Sequence, residues 1–281
     1  MSVDLHIHST RSDGTLTPAE IVGRARELGL TVALTDHNTV AGVAEFLEEA
    51  ERLGVDAVGG IELSTVYGER EIHLLGLFIP PEHYADLEAL VRDYRDRKEK
   101  SNLELVERLR VGGYVLDYGE IKRKNPDSFV NRALIAAELT ELGYTESVSE
   151  AFRTLLGEGL GYYVPPERLD FFEAIRFLRE IRTVPVWAHP LQYAEEEVVR
   201  AILPGAIEAG LLGMEVQHSS YDDGTVLCAK ALADEFGLLY SGGSDFHGTV
   251  KPDVRLGVGK GNLDIPDSYW KALREASRRI G

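Results

Sequence analysis

Polar and apolar side chains alternate in the stretch Val3-Asp4-Leu5-His6-Ile7-His8-Ser9, with the two-residue period of a β-strand. On such a strand Asp4, His6 and His8 share one face, and Leu5 and Ile7 share the other. Two imidazoles and a carboxylate on one face are typical of a metal site. The competing interpretation is an exposed edge or the remnant of a tag, and the rest of the sequence argues against it.

Strands and helices alternate over the first eighty residues. Thr17-Pro18-Ala19-Glu20 predicts a helix start with a capping box, and Gly29 predicts its end. The elements expected after it are a strand at 31–35, a helix at about 40–53, and strands at 55–63 and 71–78. Because these strands are nearly continuous apolar runs, we expect them to be buried and parallel.

The pattern changes after Pro80 and returns at Asp170. Between them the sequence predicts helices at 82–109, about 128–142 and 148–156, with no convincing strand before 162–164. The alternation then resumes with a helix to about 182, a strand at 184–188, a helix from about 195, a strand at 213–217, a helix at 226–236 and a strand at 238–241. The sequence therefore predicts a closed or nearly closed β/α barrel, residues 1–80 and 168–281, interrupted by a helical insertion or cap, residues 81–167.

Composition limits the possible partners. The 47 acidic and 30 basic residues among 281 give a net charge of −17, which disfavours an extended grip on long duplex nucleic acid. A small anionic substrate stays compatible with this charge, because bound cations reverse the field locally. There is no apolar run near the ~18 residues of a membrane span, and the single cysteine, Cys228, fits a reducing compartment. Because the first residues lack a basic stretch followed by an apolar one, we expect no secretory leader. We expect a cytoplasmic protein, and the sequence implies no partner protein.

Histidines and carboxylates recur on or directly after the predicted strands. The residues concerned are His6, His8, His37, Glu62, His73, His189, Asp245 and His247. In a β/α barrel the carboxyl ends of the strands converge on one rim, where active sites form. We therefore expect these side chains to meet in space although they lie far apart in the sequence.

The type of ligand narrows the choice of metal. Imidazole and carboxylate without thiolate suit Zn, Mn or Fe and argue against a structural zinc–cysteine site. With Asp13 the candidates number nine, which is too many for one ion. Two or three divalent ions that share a bridging carboxylate and a bridging hydroxide would use them all.

These motifs, in this order, resemble those of the PHP (polymerase and histidinol phosphatase) family. The matching stretches are Asp4-x-His6-x-His8, Ser12-Asp13-Gly14, Thr35-Asp36-His37, Glu62-Leu63-Ser64, Glu71-Ile72-His73-Leu74-Leu75-Gly76, Ala188-His189-Pro190 and Ser244-Asp245-x-His247. The resemblance spans the whole chain and looks closest to stand-alone bacterial nucleotide phosphatases with a helical insertion. It implies a distorted (β/α)7-type barrel with three metals.

The resemblance also implies a distribution of the ligands. The first metal would be held by His6, His8, Glu62 and Asp245, the second by Asp13, His37 and His247, and the third by Glu62, His73 and His189. Glu62 would then be the bridging carboxylate. Several family members have histidine where this chain has Asp13, and the nucleotide-phosphatase branch has aspartate there.

The implied reaction is hydrolysis of a phosphomonoester by a hydroxide that bridges two metals. Arg132, in the helical insertion, resembles an arginine that related phosphatases place over the pocket. His218 resembles a family histidine that faces the substrate phosphate, and a solvated loop histidine is the competing interpretation.

The expected substrate is a small phosphorylated metabolite, such as a nucleoside 3′,5′-bisphosphate or the end of a short oligonucleotide. Two alternatives remain open at this point. One is a histidinol-phosphate phosphatase, with the same chemistry on another substrate. The other is a non-catalytic, metal-stabilised module that binds a nucleotide or a partner chain.

Overall fold

The computed structural model describes residues 2–125, 130–157 and 159–280. The chain forms two compact units, a barrel unit of residues 1–88 and 169–281 and a helical unit of residues 89–168. The strands of the barrel unit are β1 (Val3–Asp4), β2 (Thr31–Leu34), β3 (Ala57–Tyr67), β4 (Arg70–Leu77), β5 (Val184–Trp187), β6 (Gly213–His218) and β7 (Leu239–Gly243).

The described residues also form ten α-helices. They are α1 (Pro18–Leu28), α2 (Val43–Leu53), α3 (Tyr84–Val111), α4 (Tyr118–Lys124), α5 (Arg132–Glu141), α6 (Val148–Ala151), α7 (Phe171–Glu180), α8 (Glu196–Ala209), α9 (Asp223–Phe236) and α10 (Asp267–Ile280). The predicted capping box is present, since Thr17 accepts a hydrogen bond from the Glu20 amide and Glu20 accepts one from the Thr17 amide. None of the described helices combines the length and the apolar character that a membrane crossing requires.

The seven strands make one sheet in chain order, from β1 to β7. The segment after β1 lies against the end of β7, where Ile7 and Phe246 form a parallel bridge and the Leu5 amide donates to the Gly242 carbonyl over 3.1 Å. These contacts nearly close the sheet into a barrel. The predicted α/β barrel is thereby confirmed.

The direction of β4 corrects the expectation of parallel strands. β4 runs antiparallel to both β3 and β5, whereas the remaining neighbours are parallel. Only Gly68 and Glu69 separate β3 from β4, and a two-residue connection can join antiparallel strands but not parallel ones. The apolar character of β4 correctly predicted that the strand is buried, but it carries no information on the direction of the strand.

Other differences concern the ends and the number of elements. β1 stops at Asp4, because beyond it Ile7 pairs with the Thr35 side chain and backbone instead of continuing the ladder. Residues 162–164 form no strand, and the helices α4 and α10 were not expected. The helix expected at 128–142 is observed as α5, and its first two expected positions lie outside the described residues.

Each unit has its own apolar core. In the helical unit the buried cluster includes Leu105, Leu109, Ile135 and Leu139. A core cluster of the barrel unit packs the first helices and strands against one another, and it includes Ile7 and Phe246 from the closing segments. Ile7 therefore packs between the strands and the first helices, while its neighbours His6 and His8 point to the opposite side, as the alternation predicts.

Candidate metal centre

Five imidazole rings surround the buried carboxylate of Glu62. His6 Nε2, His8 Nε2 and His37 Nδ1 lie 3.1, 3.2 and 3.1 Å from Glu62 Oε2. His73 Nδ1 and His189 Nε2 lie 2.9 and 3.1 Å from Glu62 Oε1. The two oxygens thus face different sets of rings, which is the arrangement of a carboxylate placed between two cation sites.

A second convergence involves Asp245, Asp13 and His247. Asp245 Oδ1 lies 3.3 Å from His8 Nε2 and 3.4 Å from His247 Nδ1. On the other side of His247, its Nε2 lies 3.3 Å from Asp13 Oδ1. His8 therefore belongs to both convergences and links them into one cluster.

Several buried polar atoms of this cluster lack a hydrogen-bond partner among the described residues. They are His6 Nε2, His8 Nδ1, His8 Nε2, His37 Nδ1, Glu62 Oε2 and His218 Nε2. Leaving one such atom unsatisfied costs about 1–3 kcal/mol, so a protein without a ligand here would be penalised repeatedly. The donor set is nitrogen and carboxylate oxygen, and the only cysteine, Cys228, lies on α9 with its Sγ against Glu196. The residues present therefore fit Zn, Mn or Fe.

The two carboxylates nearest these motifs in sequence are structural. Asp4 accepts hydrogen bonds from the Ser244 amide, the Ser244 hydroxyl and the Gly257 amide, at 2.6–2.8 Å. Asp36 accepts from the Ser9 amide and from the hydroxyls of Ser9 and Ser12, each at 2.7 Å. Both side chains are buried and use their oxygens in these hydrogen bonds. They therefore hold in place the loops that carry Asp245 and Asp13.

Glu215 is a site residue that the sequence reasoning missed. Its carboxylate lies 3.1 Å from His6 Nδ1 and accepts a hydrogen bond from the His189 amide over 2.8 Å. If the proton of His6 is on Nδ1, it can be donated to Glu215. The lone pair of Nε2 then lies on the side of Glu62, where it is available to a cation. Carboxylates commonly orient metal-binding histidines in this way. The available signal was a charged residue inside the apolar strand β6.

The backbone is constrained where the site residues leave the strands. His189 and Asp245 have positive φ, 30° and 57°, a region that non-glycine residues occupy at a cost of about 1–3 kcal/mol. The Asp245 amide donates to the His6 carbonyl over 2.9 Å, which helps to hold this conformation. A Cβ on Gly14 would lie 2.3 Å from the His8 carbonyl oxygen, so the loop that carries Asp13 requires glycine there.

Burial and mutual charge shift the pKa values within the cluster. Burial lowers the pKa of His37 to about 3, which keeps its imidazole neutral. Burial also opposes protonation of His73, but the charge of Glu62 dominates and raises the pKa of His73 to about 10. Burial acts to raise the pKa of Glu62, and the surrounding imidazoles overcome it and hold that pKa well below its usual range. A cation that binds here has to displace protons from the rings.

All nine predicted ligands lie in this cluster, but their grouping differs from the one implied by resemblance. The groups whose ligand atoms lie close together are His8–Asp13–His37–His247, His6–His8–Asp245, His6–Glu62–His189, His37–Glu62–His73 and His6–Glu215–His218. His8 thus joins the Asp13 group. His73 and His189 both face Glu62 Oε1, but they fall into two different groups that share Glu62. The assignment of each residue to a numbered metal stays a prediction.

The two predicted catalytic residues occupy different units. His218 is buried in the barrel unit, with its Nε2 3.4 Å from Asp245 Oδ2 and its Nδ1 2.8 Å from the Ser220 hydroxyl, so it is not a solvated loop residue. Arg132 begins α5 of the helical unit, where its guanidinium lies 4.1 Å from the ring centre of Tyr163. Its role at the reaction centre stays a prediction.

Lys251 is a second residue that the sequence reasoning missed. Its ammonium donates to Asp245 Oδ2 over 2.6 Å, and its side chain is only partly exposed. It lies in a loop with no periodic pattern, so the sequence offered no signal for it. It gives an otherwise acidic centre a local positive charge.

The comparison with protein families gives a match to the PHP domain over residues 4–163, more than half of the chain. The chain belongs to the PHP domain family. The resemblance drawn from the motifs is thereby confirmed. The family and the full-length phosphoesterase relatives given below show a metal-dependent phosphoesterase, and its metals are divalent. This favours the enzyme over the non-catalytic alternative.

Two of the similar full-length proteins are named for RNA and for a nucleotide. It is 34% identical over 267 residues to a 5′-3′ exoribonuclease of Haemophilus influenzae, covering 94% of this chain and 95% of that protein. It is 30% identical to a 3′,5′-nucleoside bisphosphate phosphatase of Chromobacterium violaceum, covering 99% and 98%. Among solved structures, a protein of Bifidobacterium adolescentis assigned as a metal-dependent phosphoesterase is 28% identical, with a TM-score of 0.75 over 98% and 96% of the two chains.

Proposed function

We propose that this PHP-domain protein holds two or three divalent ions, Mn, Zn or Fe, at the rim of the barrel. The single observation that supports this most strongly is the convergence of five imidazole nitrogens on the two oxygens of the buried Glu62 carboxylate. The proposed ligands are His6, His8, Asp13, His37, Glu62, His73, His189, Asp245 and His247. When bound, such ions lower the pKa of water and offset the charge that develops on the phosphoryl oxygens.

The protein's own residues would orient the substrate around this centre. Lys251 and His218 both face Asp245 Oδ2, so each presents a proton donor beside a proposed ligand. We propose that they contact the non-bridging oxygens of the substrate phosphate, together with Arg132 of the helical unit. Fixed donors of this kind stabilise charge without the reorganisation that water would need.

The proposed reaction is hydrolysis of the P–O3′ bond of a nucleotide that carries a 5′-phosphate. A 3′,5′-nucleoside bisphosphate phosphatase breaks this bond when it removes the 3′-phosphate. An exoribonuclease that starts at the 5′ end and releases 5′-nucleotides breaks the same bond, with a further nucleotide attached to the phosphorus. One centre with one leaving oxygen therefore accounts for the activities named in both kinds of relative.

A histidinol-phosphate phosphatase would use the same chemistry on an amino alcohol. The relatives named above favour the nucleotide. The acidic surface, with its net charge of −17, further favours a short substrate over a long duplex.

The test is product formation by metal-loaded protein from four compounds: adenosine 3′,5′-bisphosphate, 3′-AMP, the 5′-phosphorylated dinucleotide pApA and histidinol phosphate. We expect AMP from the bisphosphate and from pApA, with much slower turnover of 3′-AMP and histidinol phosphate. Preference for histidinol phosphate would contradict the proposed substrate. Lys251→Ala, His218→Ala and Arg132→Ala should lower kcat/KM with unchanged metal content, and His83→Ala, which lies outside the cluster, should not.

A further inference from the structure

A cavity of about 350 Å³ in the barrel unit adjoins the candidate metal ligands. His73 and His189 form part of its wall, and the same rings contact Glu62 Oε1 at 2.9 and 3.1 Å. Pockets that hold small molecules typically measure ~300–1,000 Å³. The cavity is therefore large enough for a substrate group that extends from a phosphate bound at the centre.

The cavity combines an apolar floor with an exposed aromatic side chain. Trp187 and Ile202 line it and are buried, and Tyr193 lines it with 71% of its surface exposed. The Tyr193 ring meets the His189 ring edge-on, with 5.9 Å between their centres. An aromatic face held beside a phosphoryl-transfer centre is a surface on which a nucleobase can stack.

The charges around the cavity favour a neutral group. Arg70 is the only arginine or lysine among its described lining residues, and the neighbouring Glu71 carries the opposite charge. A 5′-phosphate dianion would need more positive charge than this pair supplies. A ribose with its base needs none, and Arg70 can still reach a ring face or a hydroxyl.

We infer that this cavity, with the Tyr193 ring, binds the nucleoside on the far side of the scissile phosphate when the substrate is a phosphodiester. The inference rests on the proposed function and adds to it the place where the second nucleoside binds. In the reaction the oxygen of water bonds to phosphorus, the P–O3′ bond breaks, and the departing O3′ takes a proton. The nucleoside in the cavity keeps the phosphate as its new 5′-phosphate.

The experiment compares three substrates that share the 5′-phosphorylated adenosine and the leaving O3′. They are adenosine 3′,5′-bisphosphate, its 3′-methyl diester, and pApA. Only pApA has a nucleoside for the cavity, and the methyl diester controls for diester chemistry. For wild-type protein we expect kcat/KM for pApA to exceed that for the methyl diester roughly ten- to a hundredfold, the range of a base–aromatic stack.

Tyr193→Ala should remove this advantage and leave the bisphosphate and the methyl diester unaffected, whereas Tyr193→Phe should retain it. Leu227→Ala is the matched control, because Leu227 is 69% exposed and lies on α9 outside the cavity. Equal loss on all three substrates would overturn the inference, because the cavity would then hold the nucleoside that the substrates share. No loss on pApA would also overturn it.

The two proposals fail differently in this experiment. If wild-type protein hydrolyses the bisphosphate and pApA but Tyr193→Ala changes nothing, only the second nucleoside site is wrong. If wild-type protein releases product from none of the three nucleotides, the proposed function and this inference are both overturned.

Discussion

The rim of the barrel and the core of the helical unit treat polar side chains in opposite ways. At the rim, His6, His8 and Glu62 are fully buried and have nitrogen or oxygen atoms without hydrogen-bond partners among the described residues. The core cluster of the helical unit is apolar, and charged pairs such as Lys122–Glu99 lie at its surface. Unsatisfied buried polar atoms are costly, so their accumulation at one place indicates that ligand binding compensates for them.

We infer from this contrast that the rim serves mainly function and the helical core mainly stability. Substitutions at the rim should remove metal and activity and leave the helical unit folded. Substitutions in the helical core should reduce stability and leave the metal content of folded molecules unchanged. Three variants test the separation.

The largest effect is expected from Glu62→Gln. The variant keeps the size of the side chain and removes the charge that faces five imidazoles, so metal should be lost and kcat should fall by at least about 1,000-fold. Metal analysis and steady-state kinetics measure both quantities. Glu208→Gln, at an exposed position of α8, is the control, and near-normal kcat in Glu62→Gln would contradict the bridging role.

The next effect is expected from Leu139→Ala in the core of the helical unit. Truncating a fully buried leucine costs about 2–5 kcal/mol, which hydrogen exchange of the α5 amides should report as faster exchange. Leu142→Ala, which is 50% exposed just after α5, should change exchange little. Loss of bound metal from the folded Leu139 variant would break the proposed separation of the two regions.

The smallest effect of the three is expected from Glu215→Gln. Glu215 orients His6 and is not among the proposed ligands, so metal affinity should fall roughly 10–100-fold without abolishing binding at saturating metal. Titration of metal into the chelator-treated protein measures this, again with Glu208→Gln beside it. If binding were lost even at saturation, Glu215 would be a ligand instead of a supporting residue.

The sequence predicts the site better than it predicts the sheet. Alternation in residues 3–9 and the recurrence of histidine and carboxylate at strand ends predicted that eight side chains meet, and the family resemblance added Asp13. The pattern succeeds because the same side-chain period and the same strand-end position recur around the barrel. The antiparallel direction of β4 follows from the length of one turn, Gly68-Glu69, which strand composition does not report.

Residues that act through another residue were harder to find. Glu215 and Lys251 contact His6 and Asp245, their partners at the rim, only after the barrel closes, and neither belongs to a motif. The helix α10 was also missed, although Tyr269, Trp270 and Leu273 follow the helical period and are buried. Contacts between distant segments place Glu215 and Lys251, so a single sequence carries little signal for these two residues, whereas the helical period of α10 was visible in the sequence.

The most direct test of the metal centre is anomalous diffraction from crystals of the wild-type protein loaded with Mn²⁺. We expect two or three peaks within the cluster, with two of them at bonding distance from opposite oxygens of Glu62. A single peak that Glu62 does not touch, or no peak among these histidines at saturating metal, would contradict the account.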